Sequence, residues 1–538
     1  MLTSSTGKNI LPFSMDKNIL PFSMDKNILP FPMDKNILPF PMDKNIVVAG
    51  LGRSGRAAAV YLKKQGFEVT ATDIDPAKQE EARLLEAFGI HTETGFHNIE
   101  TFENAGLIVV SPGIPITGDH FKRAMELGIP IRGELDLACE LIKEPVIAIT
   151  GTNGKTTVTT MISDMLKASG KKVFTGGNIG TPLISYLDQD ERADVVVIEV
   201  SSFQLDTAIN FKPHVALLLN ITEDHLNRYP DFNAYGASKW SIFAHQEKEG
   251  WAIVNGAMDL QEKFLEGLTP RLCLFNKCRR NYNVRASIWS MTDQKNIHIN
   301  FQDHENFNFN GVERPDFPKG ENANFQGVGN LETTGKTEES GTLSINISGS
   351  NLKGKHNREN MEAAALAALC AGATIRGIET ALQEFHGLPH RTSYVATING
   401  VDFYNDSKAT NTDAVVRAIE AFDTPIILIM GGEEKCTDFS ILIPLLQNST
   451  REGFSPSRVK QIVAMGASRE KIKNSLQVTG TPLCLVDNMA QAVKAACGFA
   501  LPGDTVLLSP ACASFDMYTS YAHRGDDFIH HVNAVKKY

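Results

Sequence analysis

The sequence predicts an α/β protein of three domains: an N-terminal Rossmann-like domain, a central P-loop ATPase-like domain and a C-terminal Rossmann-like α/β domain. Three observations carry this. At residues 146–168 a β-branched run breaks into a Gly-rich turn and then an amphipathic helix. At residues 45–73 a strand, a second Gly-rich turn, a helix and another strand follow one another. Beyond Gly387, apolar strands at 401–404, 426–430, 461–465 and 505–508 alternate with helical segments.

Composition sets the bounds. A chain of 538 residues has room for about two to four domains, each able to bury a core. Hydrophobic residues at 42% and charged residues at 21% describe a globular protein. The net charge of −10 argues against non-specific nucleic-acid binding. No apolar run approaches the ~18 residues of a membrane span. The eight Cys are scattered without a C-x-x-C pair, which suits reduced cytoplasmic thiols better than zinc or disulfides. A cytoplasmic monomer with no nucleic-acid or membrane partner is expected.

Residues 1–41 stand apart. KNILPFSMD occurs at 8–16 and 17–25, and KNILPFPMD at 26–34 and 35–43. A nine-residue period fits no solenoid. Each copy ends in Met-Asp, so a duplication spanning a start codon is inferred, with Met42 as the functional start. The extension is expected to be disordered. Deleting residues 1–41 should leave activity intact, and a dead truncation would reject this.

The first domain is placed at 42–133. Strand 45–49 runs into Gly50-Leu51-Gly52-Arg53-Ser54-Gly55, and the next strand, 68–72, delivers Asp73. This is G-x-G-x-x-G with an acid about twenty residues on, which fits a dinucleotide and equally a UDP-sugar. Strand 106–110 ends in Ser111-Pro112-Gly113-Ile114-Pro115, read either as a rigid turn at the same sheet edge or as a plain loop.

The central domain is placed at 134–386. Strand 146–149 leads into Gly151-Thr152-Asn153-Gly154-Lys155-Thr156-Thr157. Val158, Met161, Ile162, Met165 and Leu166 then mark one helical face. Such a turn faces an anion with backbone N–H groups and a helix N-terminus; Lys155 neutralises it and Thr156 can hold Mg²⁺. The general pattern wants Gly at 149, where this chain has Ile149, so the turn is short. Further motifs sit at strand ends: Gly176-Gly177-Asn178-Ile179-Gly180; Glu199 with Ser201; and Asn220 to His225. A helical segment over 234–243 carries Lys239. Residues 276–330 hold eleven Asn and read as long loops with a surface hairpin, followed by a strand at 341–347. Asn357 and Asn360 open an Ala-rich helix through Ala371. The third domain is placed at 387–538.

Glu199 lies inside an apolar run and needs a cation, which a metal or a structural salt bridge can supply. His225 reads as a metal ligand or as a packed or solvated histidine. Lys239 reads as functional or as a solvated helix lysine, and Asn357 as a ligand contact or a helix cap.

The combination GTNGKTT, GGNIG, EVSSFQL, NITEDHLNRY, Lys239, GKHNREN, GLPHR, NDSKATN and SPACASFDMY resembles the Mur ligases of peptidoglycan synthesis. The last two motifs point to the branch whose acceptor is UDP-N-acetylmuramoyl-L-alanine and whose amino acid is D-glutamate. The resemblance covers about Met42 to Tyr538 and lapses in the Asn-rich stretch. It implies that ATP activates the acceptor carboxylate as an acyl phosphate, which the amine then attacks.

The resemblance also implies roles. Gly151 to Thr157 would hold ATP phosphates, with Asn357 and Asn360 at adenine and Arg391 and Asp406 at phosphate and ribose. Thr156 and Glu199 would hold one Mg²⁺. His225 would hold a second, oriented by Lys239 as a carbamylated lysine. Leu51, Arg53, Ser54, Asp73, Gly113, Asn178 and Ser201 would meet the UDP-substrate. Arg53 departs from the Thr associated with some members, which puts the uridine contacts in doubt. Lys408 belongs to the same motif as Asp406. Thr410, Lys435, Ser514, Phe515 and Tyr521 would meet D-glutamate, with Tyr521 where many members have Phe.

Competing readings remain. Folylpolyglutamate synthase should lack the leading G-x-G-x-x-G domain. The sister ligase that adds a diamino acid carries a DNPR-type motif where this chain reads Gly431-Gly432-Glu433-Glu434-Lys435. A nucleotide-sensing module without catalysis would not need Lys155, Glu199, His225 and Lys239 together. An NAD-dependent oxidoreductase rests on G-x-G-x-x-G alone.

Overall fold

The computed structural model describes residues 45–535, apart from 226–227, 259–264, 266, 277–285, 287, 302–340, 351, 353, 434–436 and 448–457. The tandem repeat and Lys435 therefore lie outside the described residues. The chain forms two compact units. One comprises residues up to Ile221 with Asn233–Ser348 and Glu362–Leu382; the other comprises Thr222–Phe232, Gly349–Met361 and the chain from Gln383 on.

The first unit holds two sheets. β1 (Ile46–Ala49), β2 (Val69–Asp73), β3 (His91–Thr94), β4 (Leu107–Val110) and β5 (Ile131–Gly133) form a parallel sheet in the order β3-β2-β1-β4-β5. Its order reverses between β1 and β4, so the crevice for a ligand lies beyond their C-terminal ends. The Gly50 turn follows β1 and the Ser111 turn follows β4, as the sequence places them.

The second sheet contains β6 (Val146–Thr150), β7 (Val173–Gly177), β8 (Val195–Glu199), β9 (Val215–Leu218), β10 (Trp251–Asn255), β11 (Arg271–Phe275), β12 (Ile288–Thr292), β13 (Asn296–Phe301) and β14 (Gly341–Asn346). Their order is β14-β13-β12-β11-β10-β9-β6-β8-β7. The central strands are buried on both faces and parallel, hence their unbroken apolar runs. β12 pairs parallel to β11, and β13 and β14 then run antiparallel. The Asn-rich stretch is thus corrected in part. It does contain a hairpin, β12–β13, but the hairpin extends the central sheet instead of standing off it. Ile288, Ile297 and Ile299 are fully buried there, and the flanking Asn residues disguise this short alternation.

The helix predicted after β6 runs from Lys155 to Ala168, and its five predicted apolar positions are all buried. One core joins the two sheets. Tyr61 and Leu62 of helix Arg53–Lys64 belong to the same buried cluster as Leu183, Ile184 and Tyr186. Glu134 fastens this seam: its fully buried carboxyl accepts from the Ile184 N–H at 2.7 Å. Burial without a cation raises its pKa from 4.5 to about 7.

The second unit is built on β15 (Ser393–Ile398), β16 (Val401–Asn405), β17 (Ile426–Gly431), β18 (Val459–Met465), β19 (Leu483–Leu485) and β20 (Thr505–Leu508), in the order β15-β16-β20-β17-β18-β19. Among the described strand pairs of this sheet, only β15–β16 is antiparallel. The two faces carry separate apolar clusters beneath helices such as Thr412–Glu420 and Tyr521–Val535.

Candidate active site

In the central sheet the Gly151–Thr157 turn closes over the end of β6. Gly154 sits at φ +88°, a left-handed position that favours glycine, and the helix begins at the next residue. The first N–H groups of a helix have no intrahelical acceptor, so they face whatever binds at its start. Lys155 Nζ folds back on the turn, donating to Gly151 O at 2.8 Å and Thr152 O at 2.9 Å. Lys239 reaches the same carbonyl, with Nζ 3.0 Å from Gly151 O and 4.6 Å from the Tyr235 ring centre. Lys239 is 2% exposed, which rules out the solvated-lysine alternative.

Glu199 ends β8 beside this turn. Thr156 Oγ1 donates to its Oε2 at 2.7 Å, and Asn178 Nδ2 donates to its Oε1 at 2.7 Å. Among the described residues no Lys, Arg or His pairs with this buried carboxylate, so the salt-bridge alternative fails. The Glu199 carboxylate and the Thr156 hydroxyl are two adjacent oxygen ligands for a hard cation, and Mg²⁺ takes one or two carboxylates plus phosphate oxygens; among the described residues no group of three or more His, Cys, Asp or Glu gathers into a metal site.

The first sheet presents a different turn. A Cβ at Gly55 would lie 1.8 Å from Gly50 O, so only glycine lets the helix approach the strand. Asp73 Oδ2 accepts from the Leu51 N–H at 2.7 Å, and its Oδ1 from the Asp75 N–H at 2.9 Å. Ser111 Oγ donates to Gly50 O at 2.9 Å. Arg53, Ser54, Ser111 and Pro112 line one cleft together with Asn178 and Gln204. Arg53 Nη1 reaches Gly180 O at 3.1 Å, so the two Gly-rich segments share a wall. Gly113 follows at φ +99°. Ser201 caps helix Ser202–Leu205 in a capping box with Gln204, which already accounts for its hydroxyl.

His225 belongs to the second unit, at φ +56°, with its N–H on Asp224 Oδ1 at 2.9 Å. Asn357 is the third residue of helix Lys355–Cys370, inside its first turn, so the cap alternative falls; Asn360 is one turn on. Asp406 is buried and accepts from the Thr392 N–H at 3.1 Å and from Ser509 Oγ at 2.9 Å. Burial raises its pKa to about 7, against the pull of Arg391. Lys408 Nζ lies 3.9 Å from the Tyr521 ring centre. Ser514 is buried, Thr410 is half-buried and Phe515 is exposed.

Sequence reasoning missed Arg524. Its buried guanidinium donates to Ser407 Oγ and O, Ala513 O and Cys512 O at 2.8–3.1 Å. It thereby ties the NDSKATN and SPACASFDMY segments together. Burial lowers its pKa to about 10. Its neighbours, His523 and Asp526, make it look like part of a solvated helix face.

Three family models match in succession: the Mur ligase MurD-like N-terminal domain over residues 44–133, the Mur ligase middle domain over 149–368, and the Mur ligase glutamate ligase domain over 390–512. The chain belongs to the Mur ligase family. It is 45% identical to the UDP-N-acetylmuramoylalanine–D-glutamate ligase of Desulfosudis oleivorans, over 91% of this chain and 96% of that protein. It is 37% identical to the ligase of the same name from Koribacter versatilis, over 90% and 95%. Among solved structures it resembles a pseudomurein peptide ligase type C from Methanothermus fervidus, with TM-score 0.53, 18% identity and coverage of 91% and 100%. It also resembles UDP-N-acetylmuramate-alanine ligase MurC from Thermotoga maritima, with TM-score 0.51, 17% identity and coverage of 92% and 100%. At those identities the structural likeness bears on the Mur ligase fold alone.

Proposed function

We propose that this Mur ligase joins D-glutamate to UDP-N-acetylmuramoyl-L-alanine with conversion of ATP to ADP and phosphate, in cytoplasmic synthesis of peptidoglycan precursors. One observation carries it. A Gly-rich phosphate turn is bonded through Thr156 to a buried carboxylate, Glu199, in a chain 45% identical to a ligase of that name.

The chemistry follows from the charges. A carboxylate and a triphosphate repel each other, so bringing them together needs cations and fixed donors. Lys155 and the N–H groups opening the helix hold the γ-phosphate. Phosphoryl transfer to the acceptor carboxylate gives an acyl phosphate and ADP. The D-glutamate amine, once neutral, attacks the acyl carbon, and the tetrahedral intermediate loses phosphate to leave an amide. Thr156 and Glu199 would hold one Mg²⁺ and His225 a second, which would supply charge neutralisation at the phosphates. Lys239, buried and 3.0 Å from the turn, is the residue whose carbamate would orient the second ion.

Leu51, Arg53, Ser54, Asp73, Gly113, Asn178 and Ser201 bind the UDP-substrate. Asn357, Asn360, Arg391 and Asp406 bind ATP. Thr410, Lys435, Ser514, Phe515 and Tyr521 bind D-glutamate. The domains are taken as 42–133, 134–386 and 387–538, and the enzyme acts as a monomer. Phosphate release from ATP with UDP-N-acetylmuramoyl-L-alanine and a panel of amino acids tests this reading. Turnover with D-glutamate alone supports it; turnover with L-lysine or diaminopimelate but not D-glutamate rejects it.

A further inference from the structure

We infer that Asn220 is a positioning residue for the nucleotide, the last member of a ladder of asparagines along the C-terminal edge of the central sheet; this rests on the ATP reading above. β11, β10 and β9 lie side by side next to β6. Asn276 follows β11 directly, Asn255 ends β10, and Asn220 lies two residues beyond β9. Asn276 Nδ2 donates to Asn255 Oδ1 at 3.3 Å, and Asn255 Nδ2 donates to Leu219 O at 3.0 Å. Asn220 then grips the phosphate turn. Its Nδ2 donates to Asn153 O at 3.0 Å, and its Oδ1 accepts from the Asn153 N–H at 2.8 Å. Its own carbonyl accepts from the Thr152 N–H at 3.0 Å. Glu362 anchors the far end, accepting at 2.7 Å from both the Asn276 N–H and Ser290 Oγ. Glu362 and Ser290 are fully buried, and Asn220 and Asn255 are 8% and 7% exposed.

The clamp has a directional consequence. In a trans peptide the C=O and the following N–H point opposite ways. Asn220 holds both the N–H and the C=O of Asn153, so the two peptides flanking that residue are turned in opposite senses. The Gly154 N–H therefore points away from Asn220. The Thr152 C=O also points away, and Lys155 Nζ binds it at 2.9 Å. A single side chain thus sets the Gly154 N–H and the Lys155 ammonium on one side of the turn, where an anion meets both. It also removes the Thr152 and Asn153 N–H groups from the anion's reach. Phosphate recognition then falls to Gly154 and the residues after it.

The test measures binding of the Mg²⁺ complex of a non-hydrolysable ATP analogue to the full chain, beside binding of UDP-N-acetylmuramoyl-L-alanine and the melting temperature. Asn220→Ala should weaken the nucleotide about tenfold or more and raise the KM for ATP to match, with binding of the UDP-substrate within about twofold of wild type. Asn220→Asp keeps the acceptor for the Asn153 N–H but loses the donor to Asn153 O, and should be impaired as much. Asn255→Ala should show a smaller loss of the same kind, and carries the comparison if Asn220→Ala does not fold. Wild-type nucleotide affinity in Asn220→Ala overturns the clamp. So does an equal loss of affinity for both ligands, the mark of a merely structural asparagine. A wild-type chain that binds no nucleotide removes the ATP reading itself, and the clamp with it.

Discussion

The first unit contains the same backbone device twice, a strand, a Gly-rich turn and a helix, and equips the two copies differently. After β1 the turn is held by an acid: Asp73 takes the Leu51 N–H and brings no cation with it. After β6 the turn is held by an amide and two lysines, Asn220 on one side and Lys155 and Lys239 on Gly151 O. The turn held by Asp73 suits a sugar hydroxyl or a uridine; a turn with the Lys155 ammonium and a helix start suits a polyphosphate. The side chains that meet each turn, more than its glycines, distinguish the two.

Substitutions can break this contrast. Lys155→Ala should cost about 10²–10³-fold in kcat/KM, while the UDP-substrate still binds. Loss of both, in titrations with each ligand, would mean that the two turns are not separate sites. Lys239→Ala should reduce turnover about 10²-fold, with partial recovery on adding short carboxylic acids if a carbamate is the working form. Unchanged turnover would remove Lys239 from the chemistry. Asp73→Ala releases the Leu51 N–H and should raise the KM for the UDP-substrate about tenfold, leaving the KM for ATP alone. A matching rise for ATP would erase the distinction.

A further effect, on stability instead of ligand binding, concerns the seam between the sheets. The Glu134 carboxyl has a folded pKa of about 7 against an ordinary 4.5. Its native form therefore prefers to be protonated. The stability this gives is complete below about pH 4.5 and is lost as pH rises through 7. Glu134→Gln should be more stable than wild type at pH 8, by up to about 3 kcal/mol, and no more stable at pH 4. Denaturant midpoints across that range check it. Parallel curves for the two proteins would show that the carboxyl is not protonated in the native state.

Much of this was legible in the sequence, for identifiable reasons. β6, β8 and β9 are buried on both faces, so their apolar runs announce themselves, and the turn after β6 carries Lys155 and Thr156, residue types suited to a phosphate and its metal. Glu199 was conspicuous because a carboxylate inside Val-Val-Val-Ile-Glu-Val needs a partner. Other features depend on contacts between distant segments. Arg524 sits in a polar helical stretch and is buried only because the carbonyls of Ser407, Cys512 and Ala513 converge on it. β12 and β13 hide among turn-forming residues, because five or six residues of strand give too short a pattern against eleven Asn. The strand-end asparagines are ordinary turn residues until the strand order brings them side by side.

In the proposed reaction one turn delivers a γ-phosphate and the other delivers a carboxylate to it. The most direct measurement uses UDP-N-acetylmuramoyl-L-alanine labelled with ¹⁸O in its carboxylate. Turnover with ATP and D-glutamate should move one labelled oxygen into the released phosphate, because the acyl phosphate bridges through it. Phosphate that emerges without label would rule out an acyl phosphate formed on that carboxylate.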